Sequence, residues 1–234
     1  MDGILTPDEL AALAALDTPT VCNALELLDP ARRTVGFTTR PLVCARPELP
    51  PIVGYAATAT IRARQPSQLP AKETRALRLA HYRAVAAAPK PTVVVIQDLD
   101  PEPGFGAFWG EVNTAVHKGL GAVGVVTDGS IRDLDQCAPG FQLLAGCVGP
   151  SHAHVHVEAF GVPVTVAGME VVPGDLVHAD RHGAVVIPHA LARRVPEAAA
   201  LIGRREAVIL KAARSPDFSI EKLAEAMATQ DEIH

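Results

Sequence analysis

Aromatic side chains are scarce in this 234-residue chain: Phe, Tyr and Trp together make up 4%, against a hydrophobic fraction of 48%. The apolar mass is therefore Ala, Val, Leu and Ile, which suits layered sheets and helices better than an aromatic-anchored surface. That apolar content excludes intrinsic disorder, and the length is enough to bury a full core. No stretch approaches roughly 18 uninterrupted apolar residues, which excludes a membrane-spanning helix. The N-terminus lacks a basic region followed by an apolar block, so no signal peptide is expected. Cys22, Cys44, Cys137 and Cys147 lack CxxC spacing. They are expected to be reduced thiols, buried as small hydrophobes, in a cytoplasmic protein. The net charge of -5 comes without a basic block, so no nucleic-acid partner is expected. Gly104-Phe105-Gly106 follows an apolar run but lacks the third glycine of a dinucleotide site. None of the lysines (72, 90, 118, 211, 222) is a persuasive Schiff-base candidate.

What is present is a regular alternation of elements. Thr6-Pro7-Asp8-Glu9 supplies a cap, a Pro at the first helical position and a capping-box Glu. A second helix starts near Thr20, with Val21, Ala24, Leu25 and Leu28 as its apolar stripe. Residues 34–64 read as strands and turns, Val53–Arg62 being the best strand, and a helix covers about 71–88. Thr92 to Gln97 is a continuous apolar run of the kind a doubly covered strand needs. A loop from Asp98 to Phe108 leads to a helix from about Trp109, with Val112, Ala115 and Val116 inward. A second buried strand, Ala122–Thr127, ends in an Asp128-Gly129 turn, after which Ser130-Ile131-Arg132-Asp133 reads as a helix start. The two apolar strands and the helix between them form a right-handed, parallel unit. Strands are expected over Phe141–Leu144, His152–Glu158, Val162–Val166, Leu176–Ala179 and Ala184–Ile187. Helices return at about 190–213, interrupted by Pro196, and 219–229. With no repeat and no low-complexity linker, residues 1–234 read as one domain.

Ligands of open α/β sheets sit beyond the carboxyl ends of the parallel strands. There the sequence places Gly110-Glu111-Val112-Asn113, the first turn of a helix, whose unpaired N–H groups favour an anion. The loop after the next strand carries Asp128, Arg132 and Asp133. A helix N-terminus with an Arg holds a carboxylate, and an Asp holds Mg²⁺, which needs only one or two protein carboxylates. The set suits a 2-oxo acid and stabilisation of its enolate. The plain alternative is a surface Arg–Asp pair at a helix start, with Asp133 a simple cap.

Trp109-Gly110-Glu111, then Gly121 to Gly129 reading GAVGVVTDG, then Ser130-Ile131-Arg132-Asp133, resembles the RraA-like family. That family contains the regulator of ribonuclease activity A and the class II 4-hydroxy-4-methyl-2-oxoglutarate, or 4-carboxy-4-hydroxy-2-oxoadipate, aldolases. Thr18 to Leu25, Val162-Pro163-Val164 and Val172 to Val177 extend the resemblance, which spans roughly residues 15–210. It implies an α/β fold: a three-layer β/β/α sandwich, similar to swivelling phosphohistidine domains, with flanking N- and C-terminal helices. It implies a homotrimer or dimer of trimers. By the same resemblance, Gly110, Glu111, Val112 and Asn113 form the substrate loop, with the amides near 112 and 113 on the pyruvate carboxylate. Arg132 binds substrate and stabilises the enolate, Glu111 stands in the place of a catalytic acidic residue, and Asp133 ligates Mg²⁺ or Mn²⁺. The family activities are retro-aldol cleavage to pyruvate and oxaloacetate decarboxylation, which share one enolate.

Ser151-His152-Ala153-His154-Val155-His156 departs from the commoner pattern. On a strand its three His share one face. That spacing suits a transition metal, a solvated or carboxylate-paired face, or a single His, His152, turned to the site as a proton donor. Asp180-Arg181-His182-Gly183 reads as a charged turn. The leading expectation is a divalent-metal-dependent aldolase acting on a small 4-hydroxy-2-oxo (di)acid. The alternatives are a non-catalytic regulator of the ribonuclease-regulator type, and a lyase on another hydroxy acid that uses the extra His residues.

Overall fold

The computed structural model describes residues 4–233. Helix α1 (Pro7–Ala14) begins at the capping box, in which Glu9 N donates to Thr6 Oγ1 at 3.3 Å and Thr6 N donates to Glu9 Oε2 at 2.8 Å. Helix α2 (Thr18–Leu28) follows and buries Val21, Ala24 and Leu25. Then come β1 (Val43–Cys44), β2 (Ile52–Arg62), α3 (Ala71–Ala87), β3 (Thr92–Asp98) and β4 (Ala107–Trp109). Next are α4 (Glu111–Gly119), β5 (Ala122–Thr127), β6 (Ser130–Ile131), β7 (Gln142–Ala145), β8 (Cys147–Val148) and β9 (His156–Phe160). The chain ends with β10 (Val164–Val166), β11 (Met169–Val171), β12 (Leu176–Asp180), β13 (Gly183–Ile187), α5 (Val195–Ala213) and α6 (Ile220–Asp231).

The main sheet runs β1-β7-β5-β3-β2-β12-β13. Its centre is parallel, with β2 on β3, β3 on β5 and β5 on β7. Strand β2 is long enough to share one edge between two antiparallel partners, β12 at Ile52–Tyr55 and β9 at Ala59–Arg62. The apolar run of β3 is explained by its two covered faces. Val93 and Val95 pack under the β10–β11 hairpin with Val164, Val166, Met169 and Val171. Val94 and Ile96 face Val85 of α3 together with Phe108, Trp109 and Ile131. Hairpin, sheet and helix thus form the β/β/α layers of a mixed α/β fold. A third cluster joins α1, α2 and α5 to the β12–β13 end through Leu13, Val21, Leu25, Leu176, Ile187 and Val195. Among the described residues, no helix is long and apolar enough to cross a membrane.

Several local expectations are corrected. Ala107–Trp109 is a strand, not loop and helix start. Ser130-Ile131 is also a strand, and Asp133 turns the chain with a φ of 53°, so no helix begins there. Residues 152–155 are a turn, and the strand begins only at His156. Pro196 lies in the first turn of α5 and starts that helix rather than interrupting it. In α4 the inward residues are Thr114 and His117, while Val112 is 71% exposed. The reason is that both polar side chains are satisfied inside: Thr114 Oγ1 bonds to Gly110 O at 2.9 Å, and His117 pairs with another imidazole. Of the four thiols only Cys137 is buried.

Candidate active site

Three short strands set the site. β4, β6 and β8 pair in parallel, with Trp109 opposite Ile131 and Ile131 opposite Val148. Arg132 N donates to Trp109 O at 2.9 Å, which carries the pairing one residue further. Parallel strands open their carboxyl ends on one edge. From that edge the chain leaves β4 into α4 and leaves β6 into Arg132-Asp133. Between them lies a cleft of about 450 Å³, lined by Gly110, Glu111, Val112, Asn113, Arg132 and Asp133. All six residues expected at the site are therefore brought together. The small sheet that does it was read from sequence as a loop and a helix start.

Gly110 precedes α4 and has no side chain to cap it. The place of a cap is taken from across the cleft, where Asp133 Oδ2 accepts from Glu111 N at 3.4 Å. A Cβ on Gly110 would stand 2.6 Å from that same oxygen, so the absence of a side chain is what lets the carboxylate lie over the helix start. Arg132 Nε is 3.6 Å from Asp133 Oδ2. A positive helix end, a guanidinium and a carboxylate thus share one edge of the cleft.

The first turn of α4 is held from below. Tyr82 Oη donates to Asn113 Oδ1 at 2.7 Å, and Asn113 Nδ2 donates to Phe108 O, so the Asn113 side chain is spent on the loop. His117 Nδ1 bonds to Asn113 O at 2.7 Å, and a carbonyl only accepts, so the proton is on Nδ1. His117 Nε2 must then accept from His81 Nε2 at 3.3 Å. Both rings are buried, and Trp109 packs on His117 with ring centres 4.5 Å apart. Burial, with the neighbouring His117, pushes His81 down to about 3, and burial pushes His117 down to about 4. The pair is a neutral buttress, not a proton donor.

Asp128 does not join the cleft. Its Oδ1 accepts from Asp98 N at 2.8 Å, and burial raises its carboxyl to about 6. The three histidines do line the cleft, although they share no strand face. His156 is spent on His154 O and Glu158 Oε1, each at 2.7 Å. Among the described residues, no group of three or more His, Cys, Asp or Glu could cage a metal. Asp133 and Glu111 instead suit a hard cation that keeps most of its waters. Asp180-Arg181-His182-Gly183 is the β12–β13 turn, away from the cleft.

Sequence reading missed the wall formed by α3. Thr74, Arg78 and Tyr82 line the cleft opposite the first turn of α4. A readable signal existed, because these polar residues recur every four positions on one helical face.

The family described as RraA-like, Aldolase/RraA, matches residues 18–186. This chain belongs to the RraA-like family. The family includes both aldolases and RNase E inhibitors. Among solved structures, an uncharacterized protein from Pseudomonas syringae pv. tomato str. DC3000 is similar, with 25% identity and a TM-score of 0.72 over 96% of this chain and 95% of that one. Streptomyces coelicolor RraAS2, described as an unusual member of the RNase ES inhibitor RraA protein family, shows 24% identity and a TM-score of 0.67 over 87% and 96%. The RNA-processing inhibitor RraA from Thermus thermophilis shows 19% identity and a TM-score of 0.52 over 70% and 90%. No curated protein matches the chain by sequence. The likeness to the two RraA structures is one of fold.

Proposed function

We propose that this RraA-like chain is a divalent-metal-dependent carbon–carbon lyase that cleaves a 4-hydroxy-2-oxo (di)acid to pyruvate and a second oxo acid. Oxaloacetate decarboxylation would be a second activity of the same site. The observation that carries the reading is the convergence of the α4 N-terminus, Arg132 and Asp133 on one cleft. The amides of Val112 and Asn113 bind the substrate carboxylate. Arg132 holds the 2-oxo group and stabilises the negative charge that develops there when the C3–C4 bond breaks. Asp133, with Glu111 beside it, holds Mg²⁺ or Mn²⁺, which when bound supplies Lewis-acid polarisation of the 2-oxo acid. The buried His81–His117 pair and Tyr82 keep the first turn of α4 in place. Assembly as a trimer or dimer of trimers belongs to the same reading, and light scattering on the purified chain checks it.

The test is a coupled pyruvate assay over a panel of 2-oxo acids, with and without Mg²⁺ or Mn²⁺. Pyruvate release from a 4-hydroxy-2-oxo diacid or oxaloacetate, abolished by EDTA, is the expected result. Metal-replete protein that releases none above buffer sinks the lyase reading in favour of a binding or regulatory role.

A further inference from the structure

We propose that His152 is the acid–base group of the cleft, taking the proton from the substrate's C4 hydroxyl. The inference rests on the lyase reading and adds a proton acceptor to it: Arg132 only donates, Asp133 and Glu111 are given to the metal in that reading, and the imidazole pair under α4 is buried and neutral.

His152 lines the cleft together with the first turn of α4, Arg132 and Asp133. Its turn is tied to the strand that feeds the site: Ala107 N donates to Ser151 O at 2.9 Å. Further bonds run from Ala153 N to Ser151 Oγ, from His154 N to Ala63 O and from Val155 N to His152 O, each at 3.0 Å. Ala153 sits at a φ of 46°, a left-handed conformation that non-glycine residues rarely adopt. Gly106 fits against this corner, where a Cβ would stand 2.6 Å from His152 O. The fold thus accepts strain and close packing to hold this turn beside the cleft.

The ring has a defined tautomer. His152 Nδ1 lies 2.7 Å from Ala153 O, which only accepts, so the proton is on Nδ1 and Nε2 is left basic. Among the described residues, Nε2 has no hydrogen-bond partner in the protein. Neither neighbour matches this. His156 is only 5% exposed and has both ring nitrogens engaged. His154 is exposed, with no hydrogen bond to fix its ring among the described residues.

The step balances. Nε2 takes the C4 hydroxyl proton, and the O–H electron pair forms the new C4 carbonyl. The C3–C4 bond breaks, and its pair passes into the 2-oxo group to give the pyruvate enolate. The imidazolium then returns its proton to C3, releasing pyruvate and the second oxo acid. Oxaloacetate decarboxylation reaches the same enolate by loss of CO₂, with no hydroxyl proton to remove, and its C3 proton comes from solvent water.

The two reactions therefore separate the role. His152→Gln and His154→Gln are compared with wild type on 4-hydroxy-4-methyl-2-oxoglutarate and on oxaloacetate. For His152→Gln the ratio of cleavage to decarboxylation falls about 100-fold, as expected for a lost acid–base group; for His154→Gln it does not move. Equal losses on both substrates in His152→Gln, an unchanged ratio, or a fallen ratio in His154→Gln overturns the assignment. So does a wild-type protein that decarboxylates but does not cleave. Wild type that releases no pyruvate from either substrate removes the lyase reading as well. Long-range ¹⁵N–¹H correlation on metal-free protein gives a readout apart from activity: the Nδ1–H tautomer of His152 is expected, and an Nε2–H tautomer overturns the proposal.

Discussion

Two helices of this protein begin beside a carboxylate from another part of the chain, and they use it in opposite ways. At α2, Asp17 caps Thr20 N at 2.9 Å, and Asp180 from β12 accepts from Thr18 N at 2.9 Å. Asp180 also takes His182 N and His182 Nδ1, and behind it His178 bonds to Thr18 Oγ1 at 3.0 Å. The orphan amides of that helix are consumed by the protein itself. At α4, Gly110 offers no cap, and the one carboxylate that reaches over contacts a single amide at 3.4 Å. The difference teaches what separates a helix end filled from within from one left open: only the second keeps amides that an anion could use.

The sharpest way to break the comparison is to empty the α4 corner. Arg132→Ala and Asp133→Ala should each lower pyruvate release by about 100- to 1000-fold, the loss seen when one group stabilising transition-state charge is removed. Circular dichroism and the thermal midpoint should stay near wild type, since both side chains are partly exposed. Near-wild-type turnover in either variant refutes the roles given to them.

Emptying the α2 corner should do the reverse. Asp180→Ala strands two amides and an imidazole, and should cost about 3 kcal/mol of unfolding free energy, measured by urea denaturation. Its kcat/KM should remain within a few-fold of wild type. Burial would raise the Asp180 carboxyl, but the amides of Thr18 and His182 and the His182 ring outweigh it and hold it below the usual range. A depressed carboxyl adds stability above its unfolded value and loses it as pH falls through the folded value. The gap between wild type and Asp180→Ala should therefore be full at neutral pH and narrow as pH falls below about 4. A gap that does not narrow at all as the solution is acidified contradicts the ionic account.

The mildest change moves the carboxylate off the α4 end. Gly110→Ala puts a methyl where Asp133 Oδ2 now lies, while the backbone there, at a φ of -171°, tolerates any residue. We expect KM and the metal requirement to rise about tenfold, roughly 1.4 kcal/mol, with little change in the thermal midpoint. An unchanged metal requirement means that Asp133 does not need to lie over the helix start.

Much of this was legible in the linear chain. The capping box at Thr6 and Glu9, the two-faced Val run of β3 and the parallel β3–α4–β5 unit follow from local rules that tertiary contacts did not override. The segment from Gly110 to Asn113 and the Arg132-Asp133 pair were also identifiable. Other parts were not. Ala107–Trp109 and Ser130-Ile131 are too short for periodicity to show, and they become strands only by pairing with each other and with β8. His117 faces inward, against hydropathy, because His81 is there to meet it from 36 positions away. Asp128 and Asp133 look equivalent in sequence, yet one is spent on Asp98 N while the other faces the cleft.

The sequence by itself determined the kinds of group available: a helix start without a cap, an arginine, a neighbouring acid and a run of histidines. Tertiary structure alone decided which of them meet and which stay unspent. Hydrogen-bonding capacity is finite, and only the folded chain shows where each donor and acceptor has gone. On that account the capped end of α2 is scaffold, and the open end of α4 with its facing arginine, aspartate and histidine is the candidate site.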